Sequence, residues 1–273
     1  MQARAAMSVE GEAESSPPVL SLEGARATIR LNRPKHLNRI QPEDLATLVE
    51  LLGRVEADNA IRVLVVTGTG RVFSAGYDLG DISNRTTGAQ EAPSEPGDKP
   101  GFSAMVDQLE NLAMPTICRL NGGVYGGATD LALACDFRIG PDTCEMFMPA
   151  ARLGLHYYAS GIRRYVERLG PSAAKHLFLT AEKIGAAEML RIGYLTDVVP
   201  AAELDARVDA LAASLTASAP VATRGMKRAI NEIARGALDA EAADRRHVDS
   251  LRGVEIKEGV RAFQEKRKPI FAD

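Results

Sequence analysis

Two apolar runs of the sequence, VLVVTG at 63–68 and PTICRL at 115–120, each lead into a glycine-rich loop. A short apolar run bounded by glycines is typical of a strand that is buried on both faces. The loops that follow, FSAGYDLG and NGGVYGGATD, then open helical patterns. This strand–loop–helix repetition limits the fold to the α/β class.

The flanking patterns extend the same alternation. The stretch VLSLEGARATIRLNRP predicts a β-hairpin with its turn at Glu23-Gly24. The stretch QPEDLATLVELLGRVEADN predicts a helix that starts at Pro42 and Glu43. Its apolar stripe is expected to face the core and consists of Leu45, Leu48, Leu52 and Val55.

The order of these patterns predicts three regions. We expect a disordered Ala/Glu/Ser-rich extension over 1–17, an α/β core over 18–200 and a helical C-terminal region over 201–273. Within the core, the segment 83–101 is nearly without apolar residues, and we expect a mobile lid or a disordered insertion there.

Composition excludes several classes of function. The net charge of −3 provides no basic field for a nucleic-acid partner, and no apolar run approaches the length of a membrane span. The N-terminus lacks the apolar core of a signal peptide, and the three cysteines, which are expected to be small buried residues, suit a reducing compartment. We therefore expect a cytoplasmic protein without nucleic-acid or membrane partners. No His/Cys/carboxylate cluster has the spacing of a metal site.

The two glycine loops are the best candidates for a ligand site. Glycines allow a backbone to approach a ligand closely, and two N–H groups aimed at one point would form an oxyanion hole. The alternative is that both loops are tight strand-to-helix turns without a ligand. Neither loop matches the P-loop, dinucleotide-binding or nucleophile-elbow patterns.

Four segments in succession resemble the crotonase, or enoyl-CoA hydratase/isomerase, superfamily. They are LNRPKHLN, TGTGRVFSAGYDL, NGGVYGGATDLALACDFRI and EGVRAFQEKRKPIF, so the resemblance spans about Val19 to Phe271. It implies a spiral of ββα turns with a helical C-terminal region that forms trimers or dimers of trimers. It also implies an acyl-CoA thioester as the ligand, with no cofactor beyond the coenzyme A of the substrate.

The resemblance also assigns roles to individual residues. The backbone N–H groups of Tyr77 and Gly127 would hold the thioester oxygen while an enolate develops. Lys266 of the EKRKPIF tail would lie near the coenzyme A phosphates. The remaining substrate and coenzyme A contacts would come from Lys35, His36, Leu37, Ala75, Gly76, Asp78, Leu79 and Gly126.

The catalytic acids depart from the hydratase pattern. That pattern has two glutamates, and their positions are occupied here by Asp130 and Ala150. Ordinary two-glutamate hydration is therefore in doubt. The stretch LGLHYYASGI instead matches a tyrosine motif of the methylmalonyl-CoA decarboxylase branch, with Tyr157 at the tyrosine position. Alternatively, Tyr157, Tyr158 or His156 acts with Asp130 in proton transfer, and Tyr157 is preferred over the other two. A further alternative is that these rings, among them His156 and Tyr158, only wall the acyl pocket and contact the substrate.

Three functions stay open at this point. The first is an enoyl-CoA hydratase/isomerase-type lyase or isomerase that stabilises a thioester enolate. The second is a methylmalonyl-CoA-type decarboxylase, and the third is a non-catalytic acyl-CoA-binding member.

The Arg163-Arg164 pair, which follows the LGLHYYASGI stretch, is expected on an exposed helix face.

Overall fold

The chain forms a mixed α/β fold built on two sheets. The structure is a computed structural model and describes residues 15–78, 80 and 101–271. In the order in which they pair, the strands of the larger sheet are β1 (Val19–Glu23), β2 (Arg26–Leu31), β3 (Val63–Gly68), β5 (Thr116–Arg119), β7 (Phe137–Pro141) and β10 (Asp197–Val199). The pair β1–β2 is the predicted antiparallel hairpin, and the other pairs are parallel.

The second sheet consists of short strands. These are β4 (Val72–Ser74), β6 (Gly123–Tyr125), β8 (Glu145–Phe147) and β9 (Ile184–Gly185). β4, β6 and β8 are parallel. In each of the successive strand pairs β3–β4, β5–β6 and β7–β8, the first strand belongs to the larger sheet and the second to the smaller one. This arrangement confirms the expected spiral of ββα turns. The interpretation of β4 and β6 as parts of glycine loops is wrong. Each strand has only three residues, which are too few to show an alternating pattern in the sequence.

Helices pack around these sheets. In the described residues they are α1 (Pro42–Ala57), α2 (Phe102–Asn111), α3 (Ala128–Ala134), α4 (Ala159–Lys175), α5 (Ala186–Arg191), α6 (Leu204–Thr216), α7 (Pro220–Ala234), α8 (Ala240–Ser250) and α9 (Val254–Gln264). α1 begins with a capping box between Gln41 and Asp44, and its predicted apolar stripe is buried. Short 3₁₀ turns cover Pro34–His36, Ala150–Leu153 and Ala201–Glu203, and a π-helical turn covers His176–Thr180.

The C-terminal helices leave large apolar side chains exposed. On α7 these include Val221, Met226, Ile230 and Ile233, and on α9 they include Val254 and Phe263. Among the described residues, no helix is both long and apolar enough to cross a bilayer. The three cysteines are buried and free, as expected. The boundaries of the three predicted regions stay predictions, and residues 1–14 and 81–100, which include nearly all of the expected lid, lie outside the described residues.

Candidate active site

The two glycine-rich segments meet at Gly76. The backbone of Gly76 has φ +93°, and a Cβ built there would lie 2.6 Å from the Tyr125 carbonyl oxygen and 3.0 Å from the Gly127 nitrogen. Only a residue without a side chain allows this approach. The loop that carries Tyr77 is therefore in direct contact with the loop that carries Gly127.

A buried asparagine holds the first of these loops in shape. The Asn38 side-chain amide is buried and donates to the carbonyl oxygens of Thr69, Val72 and Phe73 at 2.8, 3.0 and 3.1 Å. The Asn38 carbonyl oxygen accepts from Ser74 Oγ at 2.7 Å, and Ser74 Oγ accepts from the Gly76 N–H at 3.0 Å. This role of Asn38 was not predicted from the sequence. Its backbone has a positive φ of 53°, a conformation that asparagine tolerates well.

The same loop pairs with the segment that follows the 3₁₀ turn. Tyr77 forms a parallel bridge with Ile40, whose N–H donates to the Gly76 carbonyl oxygen at 2.9 Å. The Ala75 N–H donates to the Leu37 carbonyl oxygen at 2.8 Å. The predicted coenzyme A segments around Leu37 and around Ala75 are thus neighbours in space.

A cavity of about 470 Å³ opens between these loops and the start of α4. Its walls include both predicted oxyanion-hole residues, Tyr77 and Gly127. The other lining residues are Ala75, Phe102, Tyr125, Gly126, Phe147, Met148, Pro149, Ala150, Leu153, Leu155, His156, Tyr157 and Tyr158. None of these described lining residues carries a carboxylate.

Among the described residues, the other predicted contacts do not line this cavity. Lys35 and His36 lie in the 3₁₀ turn, and Lys266 is exposed beyond α9 with φ +54°. Asp78 lies 3.4 Å from the Arg39 guanidinium. Leu79 lies outside the described residues.

Asp130 lies in α3, behind the cavity wall, and is completely buried. Its Oδ2 accepts a hydrogen bond from the Tyr158 hydroxyl and pairs with Arg164 Nη1 at 2.6 Å. Its Oδ1 has no hydrogen-bond partner among the described residues. Asp130 is therefore connected to the cavity through the hydroxyl group of Tyr158.

The aromatic pair at the start of α4 forms part of the cavity wall. The rings of Tyr157 and Tyr158 stack with their centroids 4.3 Å apart, and the Tyr157 hydroxyl donates to the Tyr158 hydroxyl at 3.3 Å. Phe102 meets Tyr158 edge-on at 6.3 Å. His156 is exposed at the rim. Of the three candidate partners of Asp130, Tyr158 is the one whose side chain contacts it.

The prediction that Arg163 and Arg164 lie on an exposed helix face is wrong for Arg164. Its side chain is fully buried, and Arg163 is half-buried. Besides Asp130, Arg164 contacts Glu110 at 3.0 Å and Asp107 at 2.6 Å, both on α2. Buried carboxylates on two neighbouring helices draw this cation inward, and a hydropathy pattern within one helix does not show them.

Burial and charge pull the ionisation of this cluster in opposite directions. Burial raises the pKa of Asp130 above its usual range, although Arg164 and the Tyr158 hydroxyl partly offset this effect. Burial also opposes ionisation of Glu110, but Arg164, Arg163 and Arg168 lower its pKa to about 2. Burial and then the charge of Asp130 raise the pKa of Tyr158 far above the usual tyrosine value, so Tyr158 keeps its proton.

This arrangement can hold an oxyanion and move a proton. The two residues whose N–H groups are predicted to form an oxyanion hole, Tyr77 and Gly127, lie in one cavity wall, and the hydroxyl of Tyr158, backed by a buried carboxylate, offers a path for a proton. Among the described residues, no cluster of histidine, cysteine and carboxylate side chains could hold a metal ion.

Known proteins match this chain over most of its length. The family model for enoyl-CoA hydratase/isomerase matches residues 22–273. The chain is 31% identical to the short-chain-enoyl-CoA hydratase of Clostridium acetobutylicum over 253 residues, which covers 92% of this chain and 95% of the relative. It is 32% identical to the crotonyl-CoA hydratase of Syntrophomonas wolfei over 260 residues, which covers 93% and 96%.

A solved structure with 28% sequence identity shows the same fold. It is an enoyl-CoA hydratase/isomerase from Marinobacter aquaeolei, which superposes with a TM-score of 0.83 over 94% of this chain and 99% of that one. The matches extend over nearly the whole length of both chains, from the first hairpin to the C-terminal helices. The chain therefore belongs to the enoyl-CoA hydratase/isomerase family, that is, to the crotonase superfamily.

Proposed function

We propose that this acyl-CoA enzyme holds the thioester oxygen between the N–H groups of Tyr77 and Gly127 and moves one proton along the acyl chain through Tyr158 and Asp130. The observation that carries the proposal is Tyr158, which lines the cavity and whose hydroxyl donates to a buried carboxylate. The contact between the two loops at Gly76 supports the shared oxyanion hole.

The proposed step transfers one proton from the α-carbon of the acyl chain to the Tyr158–Asp130 pair. The bond between the α-carbon and its hydrogen breaks, its electron pair forms the enolate, and the negative charge moves to the thioester oxygen. The released proton goes to the Tyr158 oxygen as the Tyr158 proton passes to Asp130 Oδ2. Reversal of these transfers returns a proton to the acyl chain, at the same carbon or at another carbon of the enolate system.

One proton carrier suits isomerisation better than hydration. Adding water requires one group that activates the water and one that handles the α-proton. Ala150 occupies the position of the second glutamate and lines the cavity with a methyl group. Moving a double bond requires only that one group removes a proton and returns it.

The test is exchange of the α-hydrogens of butyryl-CoA in D₂O, followed by turnover assays with crotonyl-, 3-enoyl- and dienoyl-CoA. We expect exchange with the wild type and a loss of about 10²–10⁴-fold in Asp130→Asn. Asp44→Asn is a matched control, because Asp44 is a buried, ion-paired aspartate that does not line the cavity. Tight binding without exchange or turnover would refute the proposal in favour of a non-catalytic acyl-CoA-binding member.

Decarboxylation is the second candidate, and a specific observation favours it. The described cavity wall has no charged base, and loss of CO₂ generates an enolate without one. Tyr157, the residue at the position of the decarboxylase tyrosine, lies in that wall. CO₂ release from methylmalonyl-CoA that disappears in Tyr157→Phe would select this reaction.

We also propose that the chain assembles into trimers or dimers of trimers through its C-terminal helices. The support is the set of exposed apolar side chains on α7 and α9, among them Ile230 and Phe263. Patches of this kind are typical of protein interfaces. Light scattering after gel filtration tests the proposal, and a monomer at micromolar concentration would contradict it.

A further inference from the structure

We propose that Arg164 is a positioning residue that keeps Asp130 ionised, so that Tyr158 directs its proton toward Asp130 and turns one oxygen lone pair toward the acyl chain. This inference rests on the proposed function, since it assigns the state in which the Tyr158–Asp130 pair meets the substrate. Arg164 does not line the cavity and acts only through Asp130.

The geometry holds Arg164 in place from two sides. One terminal nitrogen of its guanidinium contacts Asp130 at 2.6 Å, and the rest of the group faces Glu110 and Asp107 on α2. Arginine suits this position because its planar group presents several donors at once and retains its charge. The cation between the carboxylates is completely buried, so solvent screens these interactions weakly.

Glu110 is shared among several further cations. Arg163 lies 2.7 Å from it, Arg235 lies 2.9 Å and Arg168 lies 3.5 Å. These contacts keep Glu110 ionised, and its negative charge acts on Asp130 in the direction opposite to that of Arg164. The pKa of Asp130 is therefore raised by burial, lowered by the Arg164 cation on α4 and raised by the Glu110 anion on α2.

The charged and titratable groups around Asp130 are as follows. Those on α4 and at its start are Tyr157, Tyr158, Arg164, Tyr165 and Arg168, and those on α2 are Asp107 and Glu110. Tyr194 and Arg138 contact the backbone of α3 and of the residue after it. Of these groups, Arg164 is the one whose cation touches the Asp130 carboxylate.

The ionisation of Asp130 decides how the hydroxyl of Tyr158 points. If Asp130 is ionised, it can only accept, so Tyr158 donates to it. The Tyr158 oxygen also accepts from the Tyr157 hydroxyl and keeps one lone pair for the cavity. If Asp130 is protonated, it can donate to the Tyr158 oxygen, which frees the Tyr158 proton to point into the cavity. The first state can accept a proton from the acyl chain, and the second cannot, because Asp130 already holds the proton. Burial favours the second state and Arg164 favours the first.

The experiment measures how the rate of α-hydrogen exchange with butyryl-CoA depends on pH. Protonation of Asp130 should cause the fall in rate on the acid side of the profile. In Arg164→Met we expect that fall to move to higher pH by about one unit or more, because the nearby cation is gone. In Glu110→Gln we expect it to move to lower pH, because the opposing anion is gone. Arg164→Lys keeps the charge and should stay near the wild-type profile.

The two variants are expected to move the acid-side fall in opposite directions, and this distinguishes a positioning role from a merely structural one. A variant that only damages the structure lowers the exchange rate at every pH and leaves the pH of the acid-side fall unchanged. If that pH is unchanged in both Arg164→Met and Glu110→Gln, the inference is overturned. If Arg164→Met does not fold, Glu110→Gln and a ¹³C-NMR titration of the Asp130 carboxyl, assigned with Asp130→Asn, still test it. If Asp130→Asn exchanges as fast as the wild type, the proposed function itself fails; if Asp130→Asn is inactive but the profiles do not move, only the role of Arg164 fails.

Discussion

The sharpest test of the site compares two adjacent tyrosines. Tyr157→Phe and Tyr158→Phe each remove one hydroxyl from one of two stacked rings in the same cavity wall. Both variants keep the ring and therefore the apolar packing. They differ in what the hydroxyl contacts, since that of Tyr158 donates to the buried Asp130 carboxylate and that of Tyr157 donates to a neutral hydroxyl.

The magnitudes follow from these contacts. A hydrogen bond to a charged group contributes about 1.5–3 kcal/mol to the free energy of unfolding, and a neutral one contributes about 0.5–1.5 kcal/mol. The loss in Tyr158→Phe should lie near the upper value, because Asp130 is fully buried and its Oδ1 already lacks a partner among the described residues. Tyr157→Phe should cost about 0.5 kcal/mol, because its hydrogen bond is long at 3.3 Å.

Urea unfolding at pH 7 measures the free energies, and butyryl-CoA exchange in D₂O measures the chemistry. We expect exchange to fall by about 10²–10⁴-fold in Tyr158→Phe and by less than about tenfold in Tyr157→Phe. Equal losses of exchange in the two variants would refute the assignment of the proton path to Tyr158. Full exchange in Tyr158→Phe would show that the hydroxyl is not on the path.

Three further predictions concern the frame around the site. Gly76→Ala should abolish exchange, because the new Cβ would meet backbone atoms of the second loop. Gly193→Ala is the control, because Gly193 also has a positive φ but its Cβ would meet nothing closer than 3.9 Å, so that this variant should lose only stability. Exchange assays and thermal melting distinguish the two variants. Arg164→Met should lower the free energy of unfolding by about 3–5 kcal/mol, because it leaves the buried Asp130 carboxylate without its cation. Arg191→Met, in an exposed pair, should leave the free energy of unfolding almost unchanged, and urea unfolding measures both variants. The depressed pKa of Glu110 provides stability that is present above about pH 4.5 and is lost as the pH falls toward about 2. Across that window, urea unfolding should show a steeper loss of the free energy of unfolding in the wild type than in Glu110→Gln. Parallel curves for the two proteins would contradict this assignment.

Long patterns in the sequence predicted their elements well. The hairpin at 19–31, the helix from Pro42 and the strand VLVVTG were each long enough to show a period or a continuous apolar run. The strands β4, β6 and β8 were missed because each has only three residues. Their pairing depends on neighbours far along the chain, which no local pattern records.

The site was predictable to a similar degree. The glycine loops could be recognised as one ligand site, and the structure places Tyr77, Gly127 and the HYY rings around one cavity. Tyr157 was preferred over Tyr158 as the residue that acts with Asp130, because a motif shows position along the chain but not which hydroxyl turns toward a carboxylate on another helix. Arg164 was placed at the surface because most arginines are exposed, and its buried partners come from separate elements.

The ion pair between Asp130 and Arg164 constrains how descendants of this protein can diverge. The two residues are 34 positions apart, yet a mutation of Arg164 leaves Asp130 as a buried charge without its cation, and a mutation of Asp130 removes one of the three carboxylates that surround Arg164. A typical domain has a margin of only about 5–15 kcal/mol, so lineages that pass through such a single loss are readily eliminated. The two residues should therefore be inherited or replaced together, and a homologue that retains both is a good candidate to have kept the same proton path even where its acyl group has changed.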